Sequence, residues 1–151
     1  MTGTKMTLVA AALSLAYAGP LFAADNMSKD QHKSEKQRIE QEAKAARDKC
    51  KDMKGNAKDV CMAEAKGQEK VAKAELALKQ KDTAKNRYDV AAAKADSDYN
   101  VAKEKCDDMK GNEKDACQKD AKGARDNAKK QAKAERETAD GKKDGKAKKA
   151  A

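Results

Sequence analysis

The residues best suited to chemistry are four cysteines, which form two pairs of equal spacing: Cys50 with Cys61, and Cys106 with Cys117. Paired thiols form disulfides, exchange disulfides or bind metal. The pairs lack the C-x-x-C arrangement typical of thiol-exchange proteins. They also lack the chelate spacing of a zinc site, which has about two to four intervening residues. The spacing therefore favours structural disulfides over a catalytic or metal site.

Each pair lies in one copy of a repeated motif. Residues 47 to 67 read RDKCKDMKGNAKDVCMAEAKG, and residues 103 to 123 read KEKCDDMKGNEKDACQKDAKG. The copies lie 56 positions apart and share 13 of 21 residues, including both cysteines and a central Gly-Asn. We expect the chain to build the same local structure twice.

The first copy cannot be a straight helix if its cysteines are joined. Cys50 and Cys61 would then lie roughly 16 Å apart along the axis, whereas a disulfide needs a Cα separation of about 4.4 to 6.8 Å. Gly55 and Asn56 sit midway between them. Glycine suits the left-handed position that ends one helix, and asparagine suits the N-cap of the next. The motif therefore predicts two helices that meet at a bend and are joined by a disulfide.

The second copy follows the same logic, with Gly111 and Asn112 at the bend between Cys106 and Cys117. Each cysteine is expected to pair within its own copy. Closing such a loop contributes about 3 kcal/mol in the chain-entropy model.

Apolar residues precede each bend in steps of four and three, a pattern typical of a coiled-coil seam. The first set is Ile39, Ala43, Ala46, Cys50 and Met53, and the second is Tyr88, Ala92, Ala95, Tyr99, Ala102, Cys106 and Met109. Because alanine buries little surface, the seams are weak and the disulfides matter for stability.

The fold class is predicted to be all-α, with elongated antiparallel hairpins of three long helices. The helices run from about Ser28 to Lys54, from Ala57 to Lys110 and from Glu113 to about Ala139. Ser28 caps the first, with Gln31 completing a capping box, and the outer helices lie on the two halves of the middle one. The repeats divide the chain into residues 24–82 and 83–140, and residues 141–151 form a disordered basic tail.

The first 23 residues predict a secretory signal peptide. Lys5 precedes an apolar run from Leu8 to Ala18, which is too short to span a bilayer, and cleavage is expected after Ala23. Residues 24–151 then carry a net charge of +8 and only seven Leu, Ile, Val or Phe. This composition excludes a conventional globular core and favours long solvated helices. We expect a periplasmic protein, in an oxidising compartment that promotes disulfides.

No enzymatic site is predicted, because the single histidine, His32, lies in a polar stretch and no phosphate loop or nucleophile motif is present. An alternative chemistry is soft-metal binding. Cys50-x-x-Met53 and Cys106-x-x-Met109 each place a thiol and a thioether on one helical face, and such ligands select Cu(I). The same positions continue the apolar seam, so packing explains them without a metal, and no cofactor is predicted.

The motif C-x-D-M-K-G-N-x-K-D-x-C followed by AKG, behind a signal peptide, resembles a group of small exported Gram-negative proteins with Ala/Lys-rich helices, often labelled TolA-like. The resemblance covers most of the chain after residue 23 and implies a cell-envelope setting. Echoes eleven residues apart, YDVA at 88 and YNVA at 99, are similar to those of late-embryogenesis-abundant proteins, which implies a stress-protective role as an alternative.

The sequence thus favours a non-enzymatic structural or interaction protein of the envelope. Nine Lys or Arg and four Asp or Glu in residues 129–151 suit contact with an anionic envelope surface. An envelope protein is the other candidate partner, and the alanine seam also permits self-association. Export argues against nucleic acid as a natural partner.

Overall fold

The computed structural model describes residues 27–149, and this part of the chain is helical without any β-strand. The helices are α1 (Lys29–Lys49), α2 (Gly55–Gln80), α3 (Ala84–Cys106) and α4 (Gly111–Lys149). The all-α fold predicted from the sequence is confirmed. The predicted signal peptide, with cleavage after Ala23, lies outside the described residues.

The start of α1 is set by the capping box that the sequence predicts. The Gln31 backbone N–H donates to Ser28 Oγ at 3.2 Å, and the Ser28 backbone N–H donates to Gln31 Oε1 at 3.0 Å. This reciprocal pair satisfies backbone donors that would otherwise lack partners in the first turn.

The predicted continuous middle helix is wrong, because the chain breaks between α2 and α3. Lys81 and Thr83 both have extended backbones. Thr83 Oγ1 accepts a 3.0 Å bond from the Asn86 backbone N–H, which caps α3. The Asn86 side-chain Nδ2 donates to the carbonyls of Ala77 and Lys81 at 3.1 and 2.7 Å, which satisfies the end of α2. One short polar segment therefore ends one helix and starts the next.

The helices form a row in which each packs against its neighbours in the chain: α1 on α2, α2 on α3, and α3 on α4. No other pair of described helices makes contact. Helices α2 and α3 run antiparallel, with Gly67 against Ser97 and Glu75 against Lys94. The two hairpins, α1 with α2 and α3 with α4, therefore lie side by side rather than along a shared long helix.

Because neighbouring helices are antiparallel, the two bends lie next to each other, at the same end of the layer of helices. Gly55 precedes Gly67 by twelve residues, and Gly111 follows Ser97 by fourteen. Because Gly67 and Ser97 touch, each bend lies roughly 20 Å from that contact in the same direction.

The buried apolar residues are few and mostly small: Ile39, Ala43, Cys50, Ala65, Leu76, Ala84, Val90, Ala95, Cys106 and Ala132. Among the described residues, no polar or charged residue is buried. Cys50 and Cys106 are the largest side chains that are completely buried. One cysteine of each disulfide is thus buried more completely than any large apolar side chain of the described residues.

The basic C-terminal segment also differs from its prediction. Helix α4 continues to Lys149 instead of ending near Ala139, so the predicted disordered tail of residues 141–151 is helical as far as it is described. Lysine and alanine favour helix, and each glycine in this segment costs only about 1 kcal/mol relative to alanine.

Candidate functional site

Two disulfide-bonded tips, one per hairpin, are the most distinctive feature of the molecule. Cys50 is bonded to Cys61 and Cys106 to Cys117, each with a Cα separation of 5.7 Å. No cysteine is free. The pairing within each copy is the one expected from the sequence, and the Cα separation lies well inside the range that a disulfide accepts.

Glycine gives each tip its reversal. Gly55 has φ of 59° and Gly111 has φ of 53°, and these are the only described residues with positive φ. A Cβ at either position would meet no atom within 4 Å. Glycine is therefore favoured by backbone conformation alone, because L-residues with a side chain adopt this region only at a cost.

The helix ends at the first tip differ from those predicted. Helix α1 ends at Lys49 rather than Lys54, and a turn follows in which the Met53 N–H donates to the Cys50 carbonyl at 3.2 Å. Lys54 occupies the N-cap of α2 without a side-chain cap. Asn56 is thus the second residue of α2 rather than its N-cap, and its buried Nδ2 lacks a protein partner. Asn112 likewise lies second in α4.

A lysine spans each tip from the same place in the repeat. Lys58 Nζ donates to the Lys51 carbonyl at 3.4 Å, and Lys114 Nζ lies 2.9 Å from Asp107 Oδ1. The hydrogen bond from Lys114 is the main cause that lowers the pKa of the Asp107 carboxyl. Both side chains are partly exposed, so the pair orients the tip more than it stabilises it.

The methionines at the tips contradict the packing expected for them. Met53 and Met109 are 40% and 43% exposed, the only large hydrophobic side chains of the described chain that are so open. The seam pattern failed here because the helices end at Lys49 and Cys106, before the methionines. Neither methionine therefore lies on the helical face that its spacing implied.

The thiolate–thioether chelate considered for Cu(I) is not available in this oxidised form, because Cys50 and Cys106 are both in disulfides. Within residues 27–149, no group of three or more His, Cys, Asp or Glu side chains is placed to hold a metal ion. His32 lies in the first turn of α1, where its N–H donates to the Ser28 carbonyl at 2.9 Å.

The seam between the hairpins is a second distinctive feature, and sequence reasoning missed it. Gly67 is buried so closely against α3 that a Cβ there would lie 1.9 Å from Ser97 Oγ and 2.9 Å from Ser97 Cβ. An open groove of about 480 Å³ runs beside this contact and is lined by Glu64 and Lys105 among others. The available signal was the glycine itself, inside an otherwise helical stretch.

Aromatic contacts join α3 to α4. The guanidinium of Arg125 lies 4.3 Å from the ring centre of Tyr99, and that of Arg136 lies 5.8 Å from Tyr88. The tyrosines are eleven residues apart and so are the arginines. The eleven-residue echo therefore corresponds to two repeated cation–π contacts, each worth about 0.5–1 kcal/mol at an exposed site.

Comparison with protein-family models, with curated proteins and with solved structures finds no match to this chain. A separate search of the described helices finds none with the length and apolarity needed to cross a membrane.

Proposed function

We propose that this is a non-enzymatic, exported structural or interaction protein of the cell envelope, with a periplasmic location. The observation that carries the proposal is the pair of local disulfides in a chain with almost no apolar core. Disulfides of this kind form and persist in oxidising compartments.

The shape supports a scaffold or binding role. The four helices form an open row, so most of their surface faces solvent. That surface is dominated by charged side chains engaged in exposed ion pairs such as Arg38 with Glu35 and Glu42. A long, charged and internally stapled surface suits contact with another macromolecule, whereas catalysis needs a water-excluding pocket with converging polar groups.

Export is tested by mass analysis of the protein recovered from cells. Protein from the envelope fraction should begin near Ala24, and alkylation before reduction should leave all four cysteines unmodified. An intact Met1, or cysteines that are alkylated without reduction in freshly isolated protein, would remove the basis for a periplasmic location.

The interaction role is tested separately by crosslinking in intact cells and purification of the protein from the envelope. A reproducible envelope protein or anionic surface component should be recovered with the oxidised form and lost when Cys61 and Cys117 are both replaced by serine. The matched control is a variant with Ser34→Ala on the exposed side of α1, which leaves both tips intact. Recovery that is equal for the oxidised protein and for the variant with both serine replacements would show that the stapled hairpins are not what the partner recognises.

A further inference from the structure

The sequence repeat makes α1 equivalent to α3 and α2 equivalent to α4, because residues 56 positions apart correspond. The contact between α2 and α3, called the template below, therefore shows how a helix equivalent to α2 can pack on a helix equivalent to α3. Helix α4 carries on its outer side the counterparts of the α2 residues that touch α3. Helix α1 carries the counterparts of the α3 residues that touch α2. In the described chain neither of these two outer faces contacts another helix.

Gly123 is the residue that draws attention to the outer face of α4. Its counterpart, Gly67, is buried and needed for the close approach of Ser97. Gly123 is exposed, and a Cβ there would meet nothing within 4 Å. An exposed glycine inside a helix costs about 1 kcal/mol relative to alanine. Packing within this chain does not account for that cost. In the transposed contact Gly123 faces Gln41, the exposed counterpart of Ser97, and the glycine leaves room for this longer side chain to lie across α4.

The charges on the two outer faces are complementary in the same register. Glu64 and Lys105 line one groove of the template, and their counterparts are Asp120 and Lys49. Neither Asp120 nor Lys49 has an ion-pair partner in the described chain. The transposed contact therefore brings an unpaired carboxylate and an unpaired ammonium to the same groove.

The groove on the other side of the template gives two more pairs. Lys66 and Glu104 line it, as do Lys70 and Asn100. The counterparts of the first two are Lys122 and Asp48, and the counterparts of the second two are Asp126 and Lys44. Both transposed pairs place opposite charges at one groove, where they compete with the pairs Lys122–Asp126 and Lys51–Asp48 within the chain. The Lys94–Glu75 ion pair of the template is not repeated, because its counterparts are Arg38 and Gln131.

The outer faces are more polar than the template. Met62 of the template corresponds to Gln118, and Val101 corresponds to Ala45. The transposed contact therefore buries less apolar surface than α2 on α3 and depends more on charge. An interface of this kind is weak, reversible and sensitive to salt.

We propose that copies of this protein associate head to tail, with the outer face of α4 seated on the outer face of α1 of the next copy, in the register of α2 on α3. The two faces differ, so the contact is heterologous and adds copies in a row rather than closing a dimer. The partner in this contact is a second copy of the same chain. The contact itself does not depend on the proposed envelope function, and only its biological meaning rests on that function.

Charge exchange tests the contact in vitro by sedimentation velocity of oxidised protein lacking residues 1–23, over a range of concentrations. Asp120→Lys and Lys49→Glu each place like charges together, so each variant alone should sediment as a monomer where the unaltered protein associates. An equimolar mixture should associate again, because every contact between unlike copies regains an opposite-charge pair. Asp108→Lys has the same charge change as Asp120→Lys but lies in the exposed turn between α3 and α4, and it should associate like the unaltered protein.

Gly123→Ala provides a test that separates association from folding. The variant should fold at least as well as the unaltered protein, yet associate about 5- to 150-fold more weakly, the range set by overpacking costs of 1–3 kcal/mol. Raising salt from about 0.1 to 1 M should also weaken association, since the Debye length falls from about 10 to 3 Å.

Three results would overturn the inference: monomers at all concentrations for the unaltered protein, association that stops at two copies, or association that the charge variants do not change. A protein that associates in this way but is found in the cytoplasm would contradict the proposed envelope function and leave the head-to-tail contact standing.

Discussion

Replacing Gly67 with alanine tests whether the chain folds back between α2 and α3. In the folded-back arrangement the added Cβ would lie 1.9 Å from Ser97 Oγ and 2.9 Å from Ser97 Cβ. Rotation of the serine hydroxyl relieves the first contact. The second involves a Cβ fixed to the backbone of α3, so the helices must separate by several tenths of an ångström along the seam.

The magnitude follows from two opposing effects. Alanine stabilises a helix by about 1 kcal/mol relative to glycine, and overpacking a close contact costs about 1–3 kcal/mol. Gly67→Ala should therefore lie between neutral and about 2 kcal/mol less stable. Gly123→Ala gains the same helix preference and meets nothing within 4 Å, so it should be about 1 kcal/mol more stable. The difference between the two variants isolates the packing cost as about 1–3 kcal/mol.

The assay is denaturant unfolding of both oxidised variants, followed by circular dichroism at a dilution where the protein is monomeric. The double change Gly67→Ala with Ser97→Gly removes the clashing atoms, and a positive coupling between the two changes should recover the packing cost. If both glycine variants are stabilised equally, α2 does not pack on α3 at this point. The extended arrangement with one continuous middle helix would then be correct.

Four further outcomes are expected. Thr83→Ala removes the oxygen that accepts from the Asn86 N–H, so it should cost about 1 kcal/mol in the same unfolding assay; no loss would mean that the cap does not hold the break. Gly55→Ala should slow reoxidation and cost about 1–2 kcal/mol, because alanine is strained at φ of 59° although space is available; unchanged rates would place the bend elsewhere. Reduction of both disulfides should lower helicity and cost about 3 kcal/mol per loop; circular dichroism identical to that of the oxidised form would show that the seams suffice alone. Hydrogen bonds from Lys73 and Arg47 lower the pKa of the Glu69 carboxyl below its ordinary 4.5. The stability that Glu69 contributes is therefore present above pH 4.5 and is lost as the pH falls through the lowered pKa. Glu69→Gln should flatten this acid dependence of the unfolding free energy, and an unchanged profile would refute the assignment.

Local features of the fold were predictable because each is encoded within a few residues. The bend needs positive φ, glycine supplies it, and the cysteines on either side must then meet. The capping box at Ser28 and Gln31 is likewise complete within four positions. In each case the residues that signal the structure are the residues that form it.

The break at residues 81–83 was missed because the repeat is compatible with both arrangements. A displacement of 56 residues is eight heptads, so a continuous middle helix keeps its faces aligned through it. The break between α2 and α3 depends on Thr83 and on the Asn86 side chain, which donates to two backbone carbonyls at the end of α2. Threonine and asparagine also occur inside helices, so this signal acquires meaning only when α2 and α3 have surfaces that can pack.

The same reasoning explains why Met53 and Met109 were misplaced. Their spacing continues the seam only while the helix continues, and each helix ends three or four residues before its methionine. A periodic pattern predicts burial correctly along a helix but carries no information about where the helix stops.

The placement of the disulfides determines which parts of the molecule can open without unfolding the rest. Both disulfides lie at the same end of the helices, where Cys50 and Cys106 are completely buried and the residues that follow each of them are exposed. At the far end α1 begins as a charged helix whose only buried side chains are Ile39 and Ala43. Few buried apolar contacts imply low local stability. Opening should therefore begin at the start of α1 and progress toward the first disulfide, which stops it. Helices α2 and α3 both pack on two neighbours, but α2 loses one of them as α1 detaches, so α3 should remain protected longest. A stapled hairpin that frays only from its unstapled end keeps its tip geometry even when half of α1 is detached, and this explains how a chain with so little core maintains two identical bends.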